Sequence, residues 1–354
     1  FGSSHFGSLA PGLGVCAASL GTLPRPGTMD DVFSEGAILQ EIASFLTRGW
    51  TRAWLSALHL DAVARRAVTR VSWGMRLVAL TQEGAGTCQT RLHEYRLSAD
   101  GDSGWTVLCD TVPECIEVLA ADGQHFYALG AQTRAWRVVG EEWRELPPRP
   151  PQHGPEAAVA QGRLMVLGGF DEHRTGVLTG RVSVYCPTSN TWTSMHPMPT
   201  ERASRYSCAA VGNEVVVSGG LGYLGVLASA DALDLSAPAG RQPWRPLPVM
   251  GCPRFQSSAV SDDSGRFVAV GGQFEDKCEA LDMSTATWAP LPALPFKDMW
   301  VKAAAAEGRV FAMGRCSAAV LGGPAWKPFP EVPGHRVISL CATLTKPEGM
   351  EVAG

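Results

Sequence analysis

The side chains able to do acid–base, nucleophilic or metal chemistry are scattered along this sequence. Its eight histidines are His5, His59, His93, His125, His153, His173, His196 and His335. None forms the H-x-x-x-H or H-E-x-x-H pair that sets two imidazoles on one helix face around a metal ion. Ten cysteines fall singly, without a C-x-x-C, mostly inside apolar runs such as Ser207-Cys208-Ala209 and Leu340-Cys341-Ala342. A thiol in such a run behaves as a small hydrophobe, so zinc sites and a disulfide framework are disfavoured. The G-x-S-x-G turn of serine hydrolases and the G-x-x-x-x-G-K phosphate loop are both missing. His153, His196 and His335 occupy corresponding connections of a repeat and could converge on one face, but loop histidines are more often solvated than ligating. The sequence therefore predicts no metal, no cofactor and no catalytic residue.

Bulk composition narrows the class further. The 354 residues are 45% hydrophobic and 18% charged, ample for a packed core. A net charge of -4 argues against a nonspecific nucleic-acid binder, and no apolar run is long enough to cross a bilayer. Neither Asn190 nor Asn213 begins a glycosylation sequon. The expectation is an intracellular protein, cytoplasmic or nuclear, with neither nucleic acid nor membrane as partner. Residues 1–28 carry a single charged side chain, Arg25, ahead of Met29-Asp30-Asp31. They are read as a disordered, upstream or non-native segment, since the basic start of a secretory signal is lacking.

The elements that must position any site are set by tryptophan. Trp105, Trp143, Trp192, Trp244, Trp288 and Trp326 each follow a strand-like run and a turn, and recur roughly every 40 to 50 residues. Five precede an apolar residue and a proline, as in Trp143-Arg-Glu-Leu-Pro147 and Trp288-Ala-Pro-Leu-Pro292. Four strand-like runs make up each unit. The clearest unit has an inner run Glu156–Ala160, a Gln161-Gly162 turn, a second run Arg163–Leu167 closed by Gly168-Gly169, a third run Arg181–Tyr185, and an outer run opening at Trp192. Gly219-Gly220 and Gly271-Gly272 repeat the glycine pair in the next two units, and the inner runs are rich in alanine and serine. Small side chains fit inner strands crowded around a narrow axis, and glycine pairs permit positive φ and close backbone approach.

This pattern resembles the kelch repeat, which implies a mainly β fold: a six-bladed β-propeller over residues 71–346 with a tail at 347–354. Units one, two and six are degenerate. The run Arg336–Thr343 looks like an inner strand without a following blade, and it is expected to complete blade one and remove the free sheet edges. A truncated seventh blade is the alternative.

Residues 29–70 differ from the rest. Ile38, Leu39, Ile42, Phe45 and Leu46 follow an amphipathic helical spacing, and a second helix is expected around Trp54, Leu55 and Leu58. The stretch Ile38-Leu39-Gln40-Glu41-Ile42-Ala43-Ser44-Phe45-Leu46 resembles the opening of an F-box, departing from it at Gln40, where that family has proline. The resemblance implies that Ile38, Ile42 and Leu46 would contact a Skp1-type adaptor. The other reading is a helical cap on the propeller.

In propellers of this kind, connections from the second to the third strand and from the outer strand to the next inner strand open on one face. Arginines and exposed aromatics are common interface anchors. On that basis Arg174, Tyr223 and Phe274, with Arg202, Arg205, Arg254 and Trp300, are the expected contacts for a protein partner. Structural alternatives accompany them: Arg202 and Arg254 could bond neighbouring loop carbonyls, and Trp300 could pack in the core. The functional expectation is a protein–protein interaction module, in its sharper form the substrate receptor of an SCF-type ubiquitin ligase. The alternative is a propeller enzyme acting on a sugar or other small molecule.

Overall fold

The computed structural model describes residues 75–344 apart from 83–89, 98–103, 111, 114–115, 123–124, 140–141, 172–176, 204–205, 237–243 and 333–335. The chain divides into two units between Ser72 and Trp73, and every described residue lies in the second. The segments 1–28 and 347–354 and the helices expected over 29–70, with Ile38, Ile42 and Leu46, therefore lie outside the described residues.

Blade one contributes β1 (Met75–Gln82), β2 (Thr90–Leu97) and β3 (Thr106–Cys109). Blade two has β4 (Ile116–Ala121), β5 (Phe126–Gly130), β6 (Ala135–Val139) and β7 (Glu142–Glu145), and blade three β8 (Glu156–Ala160), β9 (Arg163–Leu167), β10 (Val182–Cys186) and β11 (Thr191–Met195). In blade four, β12 (Ser207–Val211) and β13 (Glu214–Ser218) are followed by a small hairpin, β14 (Leu221–Gly222) and β15 (Gly225–Val226), then β16 (Ala230–Asp234) and β17 (Trp244–Leu247). Blade five comprises β18 (Ser258–Ser261), β19 (Phe267–Gly272), β20 (Glu275–Asp282) and β21 (Thr287–Leu291). Blade six comprises β22 (Lys302–Ala306), β23 (Arg309–Met313), β24 (Ala318–Leu321) and β25 (Trp326–Pro328), before the last strand, β26 (Arg336–Leu344).

Each blade is an antiparallel four-stranded sheet. Blade one is composite: β26 lies inside β1, with Met75 opposite Leu344 and Val78 opposite Cys341. The inner strands neighbour one another in the order β26, β4, β8, β12, β18, β22 and back to β26. That closed circuit is a six-bladed propeller. The bore, about 470 Å³, is lined by Ala157, Ala158, Ala209, Ala303 and similar small residues.

Six apolar cores lie between neighbouring blades. One joins Met165, Leu167 and Val184 of blade three to Val215, Val217 and Leu233 of blade four. The tryptophans explain their own spacing. Each packs against the core shared with the preceding blade. Five then donate the indole N–H across that seam: Trp192 to the Pro147 carbonyl (2.7 Å), Trp244 to His196 (3.0 Å), Trp288 to Pro248 (2.7 Å), Trp326 to Pro292 (2.8 Å) and Trp105 to Pro330 (2.9 Å). Each acceptor stands four positions after the tryptophan of its own blade. A buried indole needs such a partner. Trp143, at the seam between blades one and two, has none among the described residues.

The glycine pairs are steric necessities. Gly168 and Gly169 have φ of +54° and +97°. A Cβ on Gly168 would stand 2.7 Å from the Met198 methyl, and one on Gly169 2.5 Å from the His153 carbonyl. Two connections between second and third strands are themselves strand-like. In blade five, Gln273–Lys277 is not a loop: β19 and β20 run on to a two-residue turn at Gln273 and Phe274, with Gly272 opposite Glu275. In blade four the apolar stretch 221–228 is organised as the β14–β15 hairpin.

Candidate functional site

The face that gathers the expected contact residues has a rigid floor, and two of those residues belong to it. Arg202 and Arg254 are 0% and 2% exposed, so neither meets a partner. Each lies just ahead of an inner strand and ties its blade's loops together. Arg202 Nη1 donates to the carbonyls of Gly219 (2.9 Å) and Ser229 (3.2 Å), and Nη2 pairs with Asp231. Arg254 Nη1 donates to Gly271 (2.8 Å) and Lys277 (2.8 Å), and Nη2 pairs with Glu279. Burial raises the pKa of Asp231 above the ordinary carboxylate value even beside Arg202, and the same burial lowers that of Arg202. Desolvated pairs of this kind hold geometry more than they add stability. In blade three Gln152 takes the place, with Nε2 donating to the carbonyls of Gly168 (2.9 Å) and Arg181 (3.2 Å).

The partners of these arginines escaped the sequence reading. Their signal was the matching runs Asp231-Ala-Leu-Asp234 and Glu279-Ala-Leu-Asp282. In both, the first acid sits mid-strand opposite the residue two before the glycine pair, facing Val217 and Ala269 respectively.

Above this floor, Tyr223 and Leu224 form the tip of the β14–β15 hairpin and are 65% and 103% exposed. The hairpin is braced against blade three, because the Leu178 N–H donates to the Tyr223 hydroxyl at 3.0 Å. Val177, beside Leu178, and Val226 are also exposed, so the hairpin and its brace make an apolar ridge over blades three and four. Phe274, 56% exposed, stands at the blade five turn, its N–H donating to the Asp298 carbonyl at 3.1 Å. Arg174 and Arg205 lie outside the described residues.

Trp300 is half-buried beside the axis, with the Arg336 guanidinium stacked 3.3 Å from its ring centre. It lines a cavity of about 460 Å³ at the mouth of the bore, together with Glu117, Glu156, Lys302, Arg336 and His153. His196 serves through its carbonyl, and His335 lies outside the described residues. Among the described residues no group of three or more histidine, cysteine or acidic side chains is placed to hold a metal.

Residues 153–199, most of blade three, match the Kelch motif. The chain is 25% identical over 206 residues to the human Kelch repeat and BTB domain-containing protein 12, covering 50% of this chain and 33% of that protein. It is 36% identical over 114 residues to human Kelch-like protein 34, covering 28% and 17%. The matched part thus spans a third or less of these relatives' own lengths. Among solved structures, that of YjhT superposes with a TM-score of 0.52 at 14% identity, over 62% of this chain and 85% of the other, a likeness of fold alone.

Proposed function

We propose that this kelch-type β-propeller is a non-catalytic interaction protein that docks a partner protein on the apolar ridge over blades three and four. The observation carrying this reading is Leu224 at the tip of a braced hairpin, with its side chain wholly in solvent beside Tyr223. Apolar side chains clustered at a rigid, projecting position favour association. A tethered hairpin also loses little conformational freedom when it binds. Kelch relatives of this chain carry the word BTB or kelch in their names, which agrees with a recognition role. Leu224→Asp should abolish cross-linking of the full-length protein to its cellular partner without altering its melting temperature. Undiminished cross-linking would refute the ridge as the docking site.

In the sharper form, the protein is a substrate receptor of an SCF-type ubiquitin ligase in the cytoplasm or nucleus. Support for it is the F-box-like run Ile38–Leu46. Triple replacement of Ile38, Ile42 and Leu46 by aspartate in the full chain should eliminate binding to the purified adaptor. An unmodified protein that does not bind the adaptor removes the ligase assignment and leaves the ridge untouched.

A further inference from the structure

One thiol stands against the buried arginine floor rather than inside a strand. Cys252 is half-buried in the connection between β17 and β18, two residues ahead of Arg254, and Arg254 Nη2 donates to its sulfur at 3.2 Å. Cys208 and Cys341, by contrast, belong to the inner strands β12 and β26. The same Nη2 pairs with Glu279, whose other oxygen accepts the Gly251 N–H at 2.9 Å. Two carbonyls on Nη1, a sulfur and a carboxylate on Nη2 engage four of the five N–H donors of this guanidinium. The fifth, on Nε, is buried with no hydrogen-bond partner among the described residues. A buried donor left in that condition is costly, and more so on a charged group.

Blade four meets the same need with oxygen. Arg202 makes the corresponding bonds, and its Nε donates to the Thr200 carbonyl, two residues back, at 3.4 Å. The Thr200 hydroxyl bonds Asp231 as well. Blade five thus has a sulfur in place of that hydroxyl and no oxygen on Nε. In a planar guanidinium the Nε–H runs parallel to one Nη2–H, and the two open on one edge. An oxygen joined to the sulfur that Nη2 already touches comes within reach of that edge.

We propose that Cys252 is a site of oxidation by peroxide and that the Arg254 Nε–H holds the oxygen it gains. Sulfur attacks one peroxide oxygen, an S–O bond forms and the O–O bond breaks. The departing hydroxide takes the thiol proton and leaves as water. Cysteine is oxidised by two electrons to the sulfenic acid, and the peroxide is reduced. The Nε–H faces the oxygens on which negative charge builds as the O–O bond breaks. Once formed, the sulfenate engages the buried donor, which holds it short of further oxidation. Nothing in this site depends on the ridge.

The test treats the full, reduced chain with stoichiometric hydrogen peroxide, then catalase, then dimedone, and reads each cysteine by mass spectrometry of its peptides. Cys252 should carry about tenfold more adduct than Cys316, although Cys316 is the more exposed. Delaying the dimedone after catalase should leave the Cys252 adduct nearly undiminished. Arg254→Lys keeps the charge and removes the Nε donor. Where its melting transition shows a folded protein, the delayed adduct should fall about fivefold. If that variant does not fold, the ratio to Cys316 and the delay in the unaltered protein decide. The proposal falls if Cys316 is labelled as strongly as Cys252, if the Cys252 adduct is lost on delay, or if folded Arg254→Lys retains it in full.

Discussion

Blade three and its two successors solve one problem with different chemistry. All three must satisfy the carbonyl of the first glycine in the pair and a carbonyl at or near the start of the third strand. Blades four and five use Arg202 and Arg254, each with a buried carboxylate behind it. Blade three uses the neutral Gln152, and Ser183 stands where Asp231 and Glu279 stand in the others. The geometry is the same in all three blades, whereas the cost of losing a partner is not. A neutral amide removed leaves carbonyls wanting a donor. An arginine removed also leaves a carboxylate buried without its counter-charge.

The largest expected effect follows from that asymmetry. Arg254→Ala should destabilise the propeller by about 3–5 kcal/mol, the usual result of stranding a buried charge, and Gln152→Ala by about 1–2 kcal/mol. Denaturant unfolding of the two variants measures the difference, and equal losses would dissolve the distinction. A smaller contrast compares seams. Trp288→Phe should cost about 1 kcal/mol more than Trp143→Phe in the same assay, because only the former gives up an indole hydrogen bond.

The smallest effect concerns reactivity. Asp234 and Asp282 end β16 and β20 and accept bonds from the hydroxyl and then the N–H of Ser236 and Ser284, which lowers their pKa. In blade three the same strand-end position is Cys186, whose thiol is drawn down to about 7 by the Ser189 backbone N–H, then the Ser189 hydroxyl and the Thr188 N–H. Its thiolate should therefore grow in as pH rises through about 7. Cys278, pushed up to about 11 by burial, stays protonated there. Alkylation by iodoacetamide, followed by mass spectrometry of the native protein, should show Cys186 half-maximally reactive near pH 7 and Cys278 inert. A Cys186 that reacts only above pH 8.5 would mean that this turn does not favour an anion in blade three.

The sequence made the fold legible because its signals are backbone requirements. Gly168 and Gly169 have nowhere to put a Cβ, and the tryptophans recur because all six pack against the core shared with the blade before, five of them also reaching a carbonyl there. The roles of the loop residues were harder to see. Arg202 and Arg254 look like surface anchors until Asp231 and Glu279 are found behind them, 29 and 25 residues further on. Only strand register brings those groups together. Tyr223 and Phe274 were legible as candidates because an aromatic beside a turn has little to pack on.

The pairing of Met75 with Leu344 has a consequence for how the protein is made. Within the propeller, synthesis delivers β1 first and β26 last, so the first sheet waits through the other five blades with an open inner edge. Unpaired edges of that kind recruit other strands. Joining ends so far apart adds little entropy beyond that of a shorter loop, because the cost grows only with the logarithm of length. The long separation is thus felt as delay: until the final strand emerges, the nascent ring depends on whatever shields β1.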